Sequence, residues 1–154
     1  MKRWIGIDPG ADGAIAMIPE QGEIEIYELN DDNLISLLRS WKSDDCICCL
    51  EQVASSPQMG VKSAFSFAEG YGGIKMCLKC HSISFETVTP QKWKKEFGCY
   101  LGKEFSTKQK KDKDIEVCKR LYPNINLRRT DRCKTDSDGY ADAILMATYA
   151  KRRM

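Results

Sequence analysis

Four carboxylates stand where the surrounding sequence is apolar. Asp8 closes the run "RWIGID" just before Pro9-Gly10, and Glu51 closes "CICCLE". Asp138 and Asp142 lie four residues apart in "TDSDGYADAIL", a spacing that puts both on one face of a helix. Burying a charge without a partner costs several kcal/mol, and clustered carboxylates either share protons or take up a cation. Hard oxygen ligands of this kind suit Mg²⁺ or Mn²⁺. Two such ions about 4 Å apart can activate water and stabilise a leaving oxygen in phosphodiester cleavage. Taken singly, Asp8 reads equally well as a turn residue ahead of Pro-Gly, and Glu51 as an edge or snorkelling residue. Asp142 is harder to dismiss, because it sits between alanines in the most regular apolar helix of the chain. Asp136 reads as the N-cap of that helix rather than as a ligand.

These positions need elements to hold them. "RWIGID", "GAIAMI" and "EIEIYEL" are short, isoleucine-rich runs separated by turn residues, and they predict three strands in an antiparallel meander. "NDDNLISLLRSWK" spaces Leu34, Leu37, Leu38 and Trp41 helically, with Asn30 to Asp32 as cap candidates. "CICCLEQV" is a fourth strand, Val61 to about Cys80 a helix rich in small residues, and "SISFETVT" a fifth strand. Thr89-Pro90 opens the next helix. A loop is expected from Gly98 to Thr107, then helices from Asp112 to Leu121 and from Tyr140 to about Arg152. The order β-β-β-α-β-α-β-α-α-α predicts an α/β protein, a five-stranded mixed sheet with helices on both faces. No linker or repeat divides residues 1–154, so a single domain is expected.

Charge is unevenly spread. Residues 1–89 carry 7 Lys/Arg against 13 Asp/Glu, whereas residues 90–135 carry 14 against 6. A basic segment after an acidic half suits a polyanionic partner, although a solvated helix face carries such charges too. No run approaches the ~20 apolar residues of a membrane helix, and no signal peptide is visible, so a cytoplasmic location without membrane contact is expected. Three of the eight cysteines crowd the strand-like "CICCL" and read as small core residues. Cys77-Leu78-Lys79-Cys80-His81 spells a haem-attachment string, which reads as chance without an export signal.

Together these residues resemble the RuvC-type Holliday junction resolvases. "GIDPG", "LEQV" and "DGYADAIL" are similar to the family's acidic motifs, "SAFSFAEGYGGIKM" to its small-residue helix, and "TPQKWKKEFG…KKDKDIEVCKRLYP" to its basic segment. The likeness runs over nearly the whole chain. The final acidic pair is spaced by four rather than the three common in bacterial housekeeping members, which points to a phage-like or diverged member. The resemblance implies a ribonuclease H-like fold and a homodimer cutting four-way DNA junctions in the cytoplasm of a bacterial or phage-infected cell. Asp8, Glu51, Asp138 and Asp142 would hold two Mg²⁺ per site, with Mn²⁺ able to substitute. Lys94, Lys95, Lys111 and Lys113 match the family's basic segment best, with Lys92, Lys108 and Lys110 also on the phosphate path; Arg128, Arg129 and Arg132 fall in what reads as a solvated loop. Gln58 and Met59 follow Glu51, where the family places a loop near the junction centre, and are expected to meet an unstacked base. The only histidine, His81, lies outside the motifs, so no histidine base is expected.

Two other readings stay open. One is a junction-binding protein, or a nuclease acting on flap or Y-shaped DNA instead. The other is a fragment of an actin-like or sugar-kinase ATP-binding fold using Asp-Pro-Gly near phosphates, for which 154 residues leave little room.

Overall fold

The computed structural model describes all residues, 1–154. Strands β1 (Lys2–Asp8), β2 (Ala14–Pro19) and β3 (Glu25–Glu28) form the meander, followed by helix α1 (Asp31–Trp41) and strand β4 (Asp45–Glu51). Helix α2 (Val61–Cys80), strand β5 (Ser84–Val88) and helices α3 (Pro90–Glu96), α4 (Thr107–Leu121) and α5 (Asp138–Arg153) complete the chain. The sheet runs β3-β2-β1-β4-β5. β1 pairs antiparallel with β2 and parallel with β4, and β5 adds parallel to β4. This is the expected mixed sheet, in the expected element order. No helix is long and apolar enough to cross a membrane.

Side chains alternate across a strand, and here both faces are covered. Ile5, Ile7, Ile15, Met17, Cys48 and Leu50 face α1 and α2, where Leu34, Leu38, Trp41, Ile74 and Leu78 complete a core. Ala14, Ala16, Ile18 and Cys49 face the other way, onto α3, α4 and α5. Cys46, Cys48 and Cys49 are buried free thiols, as small core residues should be. Unlike an amphipathic surface helix, α5 is buried almost all round from Gly139 to Ala150, because it lies between the sheet and α4.

α5 approaches β1 without side chains between them. A Cβ on Gly6 would run into the Ala143 carbonyl oxygen and the Ala147 amide nitrogen. Gly6 therefore sets how close the helix lies, and with it where the helix's acidic residues fall relative to β1.

Helix ends follow their caps. Asn30 caps α1 by accepting from the Asn33 N–H at 2.8 Å, and Thr89 caps α3. Two boundaries differ from the sequence expectation. α4 begins at Thr107 rather than Asp112, because Ser106 and Gln109 close a capping box that starts the helix more than a turn earlier. The N-cap of α5 is Ser137, whose hydroxyl accepts from the Tyr140 N–H; Asp136 is an ion-pair partner of Lys119 instead.

Substituting Gly6 by Ala should force α5 away from β1 and cost about 1–3 kcal/mol, the usual range for overpacking a core. Gly73→Ala, in the interior of α2 with nothing within 4 Å of the new methyl, should instead stabilise by about 0.5–1 kcal/mol. Urea unfolding of the two variants beside the natural chain measures both.

Candidate metal centre

Asp8 and Glu51 meet because their strands are parallel neighbours. The register pairs Ile7 with Leu50, so the next residues, Asp8 and Glu51, stand side by side at the C-terminal ends of the two strands. By alternation Asp8 lies on the side of Gly6, and Glu51 on the side of Cys49, which is the α5 side of the sheet. Each carboxylate is fixed by one donor. The Gly10 N–H donates to Asp8 Oδ1 at 3.0 Å, closing the Asp-Pro-Gly turn. The Trp93 indole N–H donates to Glu51 Oε2 at 2.9 Å.

α5 brings the other two. Its packing on Gly6 carries Asp142 to the strand ends, where its charge is felt alongside those of Asp8, Glu51 and Asp114. Asp142 Oδ1 is sealed from solvent and has no hydrogen-bond partner. Asp138, one turn earlier, is half-buried; it repels Asp8 and pairs with Lys111 Nζ at 3.0 Å. The N-terminus of α5 is tied to the β1–β2 turn by Arg129. Its guanidinium donates to the Asp12 carbonyl, sits 3.6 Å from Glu28 and stacks 4.8 Å over Tyr140. Gly139 lets Asp12 come in, since a Cβ there would strike the Asp12 carbonyl oxygen. Arg129, read from sequence as part of a solvated loop, is thus a clamp beside the acidic cluster.

The basic segment divides. Lys92 is exposed, and Lys95 is exposed over the Tyr100 ring at 5.6 Å. Lys108 pairs with Asp112 at 2.8 Å and Lys113 with Glu116 at 3.0 Å, while Lys110 is half-buried on the same helix. Lys94 departs from the expectation of a surface phosphate contact. It turns inward, because Asp114 on the facing side of α4 is only 1% exposed and takes its ammonium at 2.5 Å. In the sequence, Asp114 is masked by the charged run "KKDKDIEV". Helical spacing was the available signal, since Asp114 shares its face with the buried Val117 and Cys118.

Gln58 Oε1 accepts from the Ser56 hydroxyl at 2.6 Å in the loop after β4. Met59 lines a groove of about 610 Å³ between Pro9–Ala11 and α2, next to the exit from Asp8. A larger hollow of about 860 Å³ opens at the β2–β3 edge and contains none of the four carboxylates. Cys77 Sγ lies 3.7 Å from His81 Nδ1 at the end of α2, with no third ligand to make a metal site.

The acidic cluster suits a hard cation by its donors: carboxylate oxygens only, one of them buried and unpartnered. It is not a ready-made cage, for no three acidic, thiol or imidazole side chains already close on a common point. Burial dominates its electrostatics, with like-charge repulsion adding to it. Burial, and then Asp8, push Glu51 up to about 7 against the opposing bond from Trp93. Burial raises Asp8 as well, with Gly10 opposing and Asp138 adding to it. Asp142 is raised well above the usual carboxylate range, chiefly by burial, with Lys94 pulling the other way. Burial alone would lower Lys94, but Asp142 and Asp114 outweigh it and raise it.

A five-stranded mixed sheet of this order, flanked by helices on both faces and carrying acidic residues at the ends of its central strands, is a ribonuclease H-like fold. Within that fold the chain is similar to the structure of Thermus thermophilus RuvC, with a TM-score of 0.58 over 94% of this chain and 90% of that one, at 11% identity. It is similar also to T. thermophilus RuvC in complex with a Holliday junction substrate, with a TM-score of 0.59 over 96% and 90% of the two chains, again at 11% identity. No protein-family model and no curated sequence matches the chain.

The raised Glu51 has a measurable consequence. Between 4.5, its ordinary value, and about 7 the folded chain binds more protons at Glu51 than the unfolded chain does. Stability of the metal-free protein should therefore fall as pH rises through that window and remain lower above it. Thermal unfolding in chelator at about pH 5 and about pH 8 should show this fall, and Glu51→Gln should reduce it by removing one of the raised carboxylates that titrate.

Proposed function

We propose that the chain is a divalent-metal-dependent endonuclease that resolves four-way DNA junctions by paired, symmetric strand cuts, with residues 1–154 acting as one nuclease domain. The observation that carries this reading is that Asp8, Glu51 and Asp142, from two adjacent strands and the last helix, lie close enough at one end of a RuvC-like fold for their charges to act on one another. Asp142 holds a sealed, unpartnered oxygen there, and Asp138 stands at the rim. The RuvC of the complexed neighbour is bound to a Holliday junction substrate, which supports branched DNA as the partner of this chain too.

The four carboxylates would hold two Mg²⁺, or Mn²⁺ in their place. Bound there, the metal supplies Lewis acidity toward phosphate oxygens and makes a nearby water more acidic. The protein's share is positioning. The Gly10 N–H and the Trp93 indole fix the orientations of Asp8 and Glu51 before any ligand arrives, and preorganised groups lose no reorganisation energy at the moment of reaction. No covalent nucleophile is needed, and His81 sits away from the cluster, bonded to the Cys77 carbonyl. Lys92, Lys95, Lys108, Lys110, Lys111 and Lys113 along α3 and α4 would guide the phosphates toward the strand ends. Such contacts position DNA without reading its sequence and weaken steeply with salt. Gln58 and Met59 lie in the loop that follows Glu51, where an unstacked base at the junction centre would meet them.

Two symmetric cuts call for two copies, and a two-fold dimer matches a near two-fold junction. The face of α2 supports this assembly. Val61, Phe65 and Met76 are 87%, 72% and 60% exposed on it, an apolar stripe that a second α2 would cover.

Cleavage of a synthetic four-way junction, beside flap, Y and linear duplex controls, tests the activity. Asp8→Asn, Glu51→Gln and Asp142→Asn should each cut the Mg²⁺-dependent rate by about 10²-fold or more while keeping junction binding. A fully active Glu51→Gln protein would sink the reading, and efficient cutting of flaps but not junctions would replace its substrate. For the assembly, Phe65→Glu should convert a dimer to a monomer in sedimentation equilibrium and leave the unfolding temperature of the monomer little changed.

A further inference from the structure

The ion pair between α3 and α4 is built in a way that packing does not explain. Asp114 is 1% exposed, on the apolar side of α4 with Val117 and Cys118. One of its oxygens takes the Lys94 ammonium at 2.5 Å, and the other, Oδ1, is buried with no partner. A well-packed apolar pair in place of a buried ion pair is often neutral or stabilising, so stability alone does not favour this arrangement. Lys94 is also near enough to the acidic cluster that Asp142, Asp8 and Glu51 all feel its charge. Asp142 Oδ1 and Asp114 Oδ1 are the two buried side-chain oxygens without partners; Lys94 is paired with Asp114, and the charges of both residues act on it.

We propose that Asp114 is a positioning residue: it tethers Lys94 as a built-in cation beside the carboxylates and holds it off Asp142, so that a divalent ion can enter. The proposal rests on the metal-centre reading above. Tethered, the ammonium neutralises part of the cluster's repulsion without occupying the place of the metal. Released from Asp114, it would be pulled most strongly by Asp142, and it would compete with the metal for that carboxylate.

The test is thermal unfolding of the full chain titrated with Mg²⁺ at about pH 8, joined to the Mg²⁺ dependence of junction cleavage and to junction binding in chelator. Asp114→Asn should raise the Mg²⁺ concentration for half-maximal effect by roughly 10-fold or more, in the range seen when groups behind metal ligands are removed. Asp114→Glu should restore it, and junction binding in chelator should not change. The double variant Lys94→Met with Asp114→Leu fills the site with apolar groups and guards against a single variant that does not fold. Having lost the built-in cation, it should gain more unfolding temperature from Mg²⁺ than the natural chain does. An unchanged Mg²⁺ midpoint in Asp114→Asn, or a natural-size Mg²⁺ response in the double variant, overturns the tether and leaves the metal centre standing. The absence of any Mg²⁺ effect on the natural chain overturns both.

Discussion

The contact of α5 with β1 at Gly6 is the constraint on which the rest of the molecule depends. With no side chain between them, the backbone of the helix lies directly on the backbone of the strand. That closeness fixes the helix along the strand as well as above it, because the Ala143 and Ala147 backbone has one place to sit. Asp142 is thereby delivered to the strand end where Asp8 and Glu51 already stand. Arg129 holds the other end of the same arrangement, tying the turn after β1 to the start of α5. A larger residue at position 6 or 139 would separate the helix from the strand or from the turn, and the carboxylates would part with them.

Bringing acidic groups together under cover has an electrostatic cost, and the surroundings answer it in three ways. Hydrogen bonds from Gly10 and Trp93 favour the charged forms of Asp8 and Glu51. The Lys94 and Lys111 ammonium groups supply positive charge from the helices opposite. What is left over appears as raised proton affinity at Glu51 and Asp142. Clustered carboxylates in this condition either keep protons or take up a cation.

The basic segment shows how one composition can serve two purposes. Lys92 and Lys95 are exposed to solvent. Lys94, between them, is drawn inward, because a helix turns neighbouring residues about 100° apart and Asp114 lies on the side that position 94 faces. Lys111 spans both environments, with its ammonium on Asp138 at the rim of the site. Net charge counted along the chain does not separate these cases.

The strands, the helices and the isolation of Asp8, Glu51 and Asp142 in apolar surroundings were legible in the residues alone. Alternation and helical spacing are local patterns, and a carboxylate that breaks one is visible within a few residues. The caps at Ser106 and Ser137 were harder, since several serines, threonines and aspartates compete at each helix start and side-chain geometry chooses among them. Asp114 and the inward turn of Lys94 were hidden for a different reason. Whether a charge in a charged run meets water or another helix depends on which elements pack together, and α3 and α4 are brought together by their packing on α5. The same holds for the meeting of the four carboxylates. Local sequence determined that each exists and which face of its element it occupies. The parallel register of β1 and β4 and the close approach at Gly6, both products of the whole chain's packing, decided that they share one site.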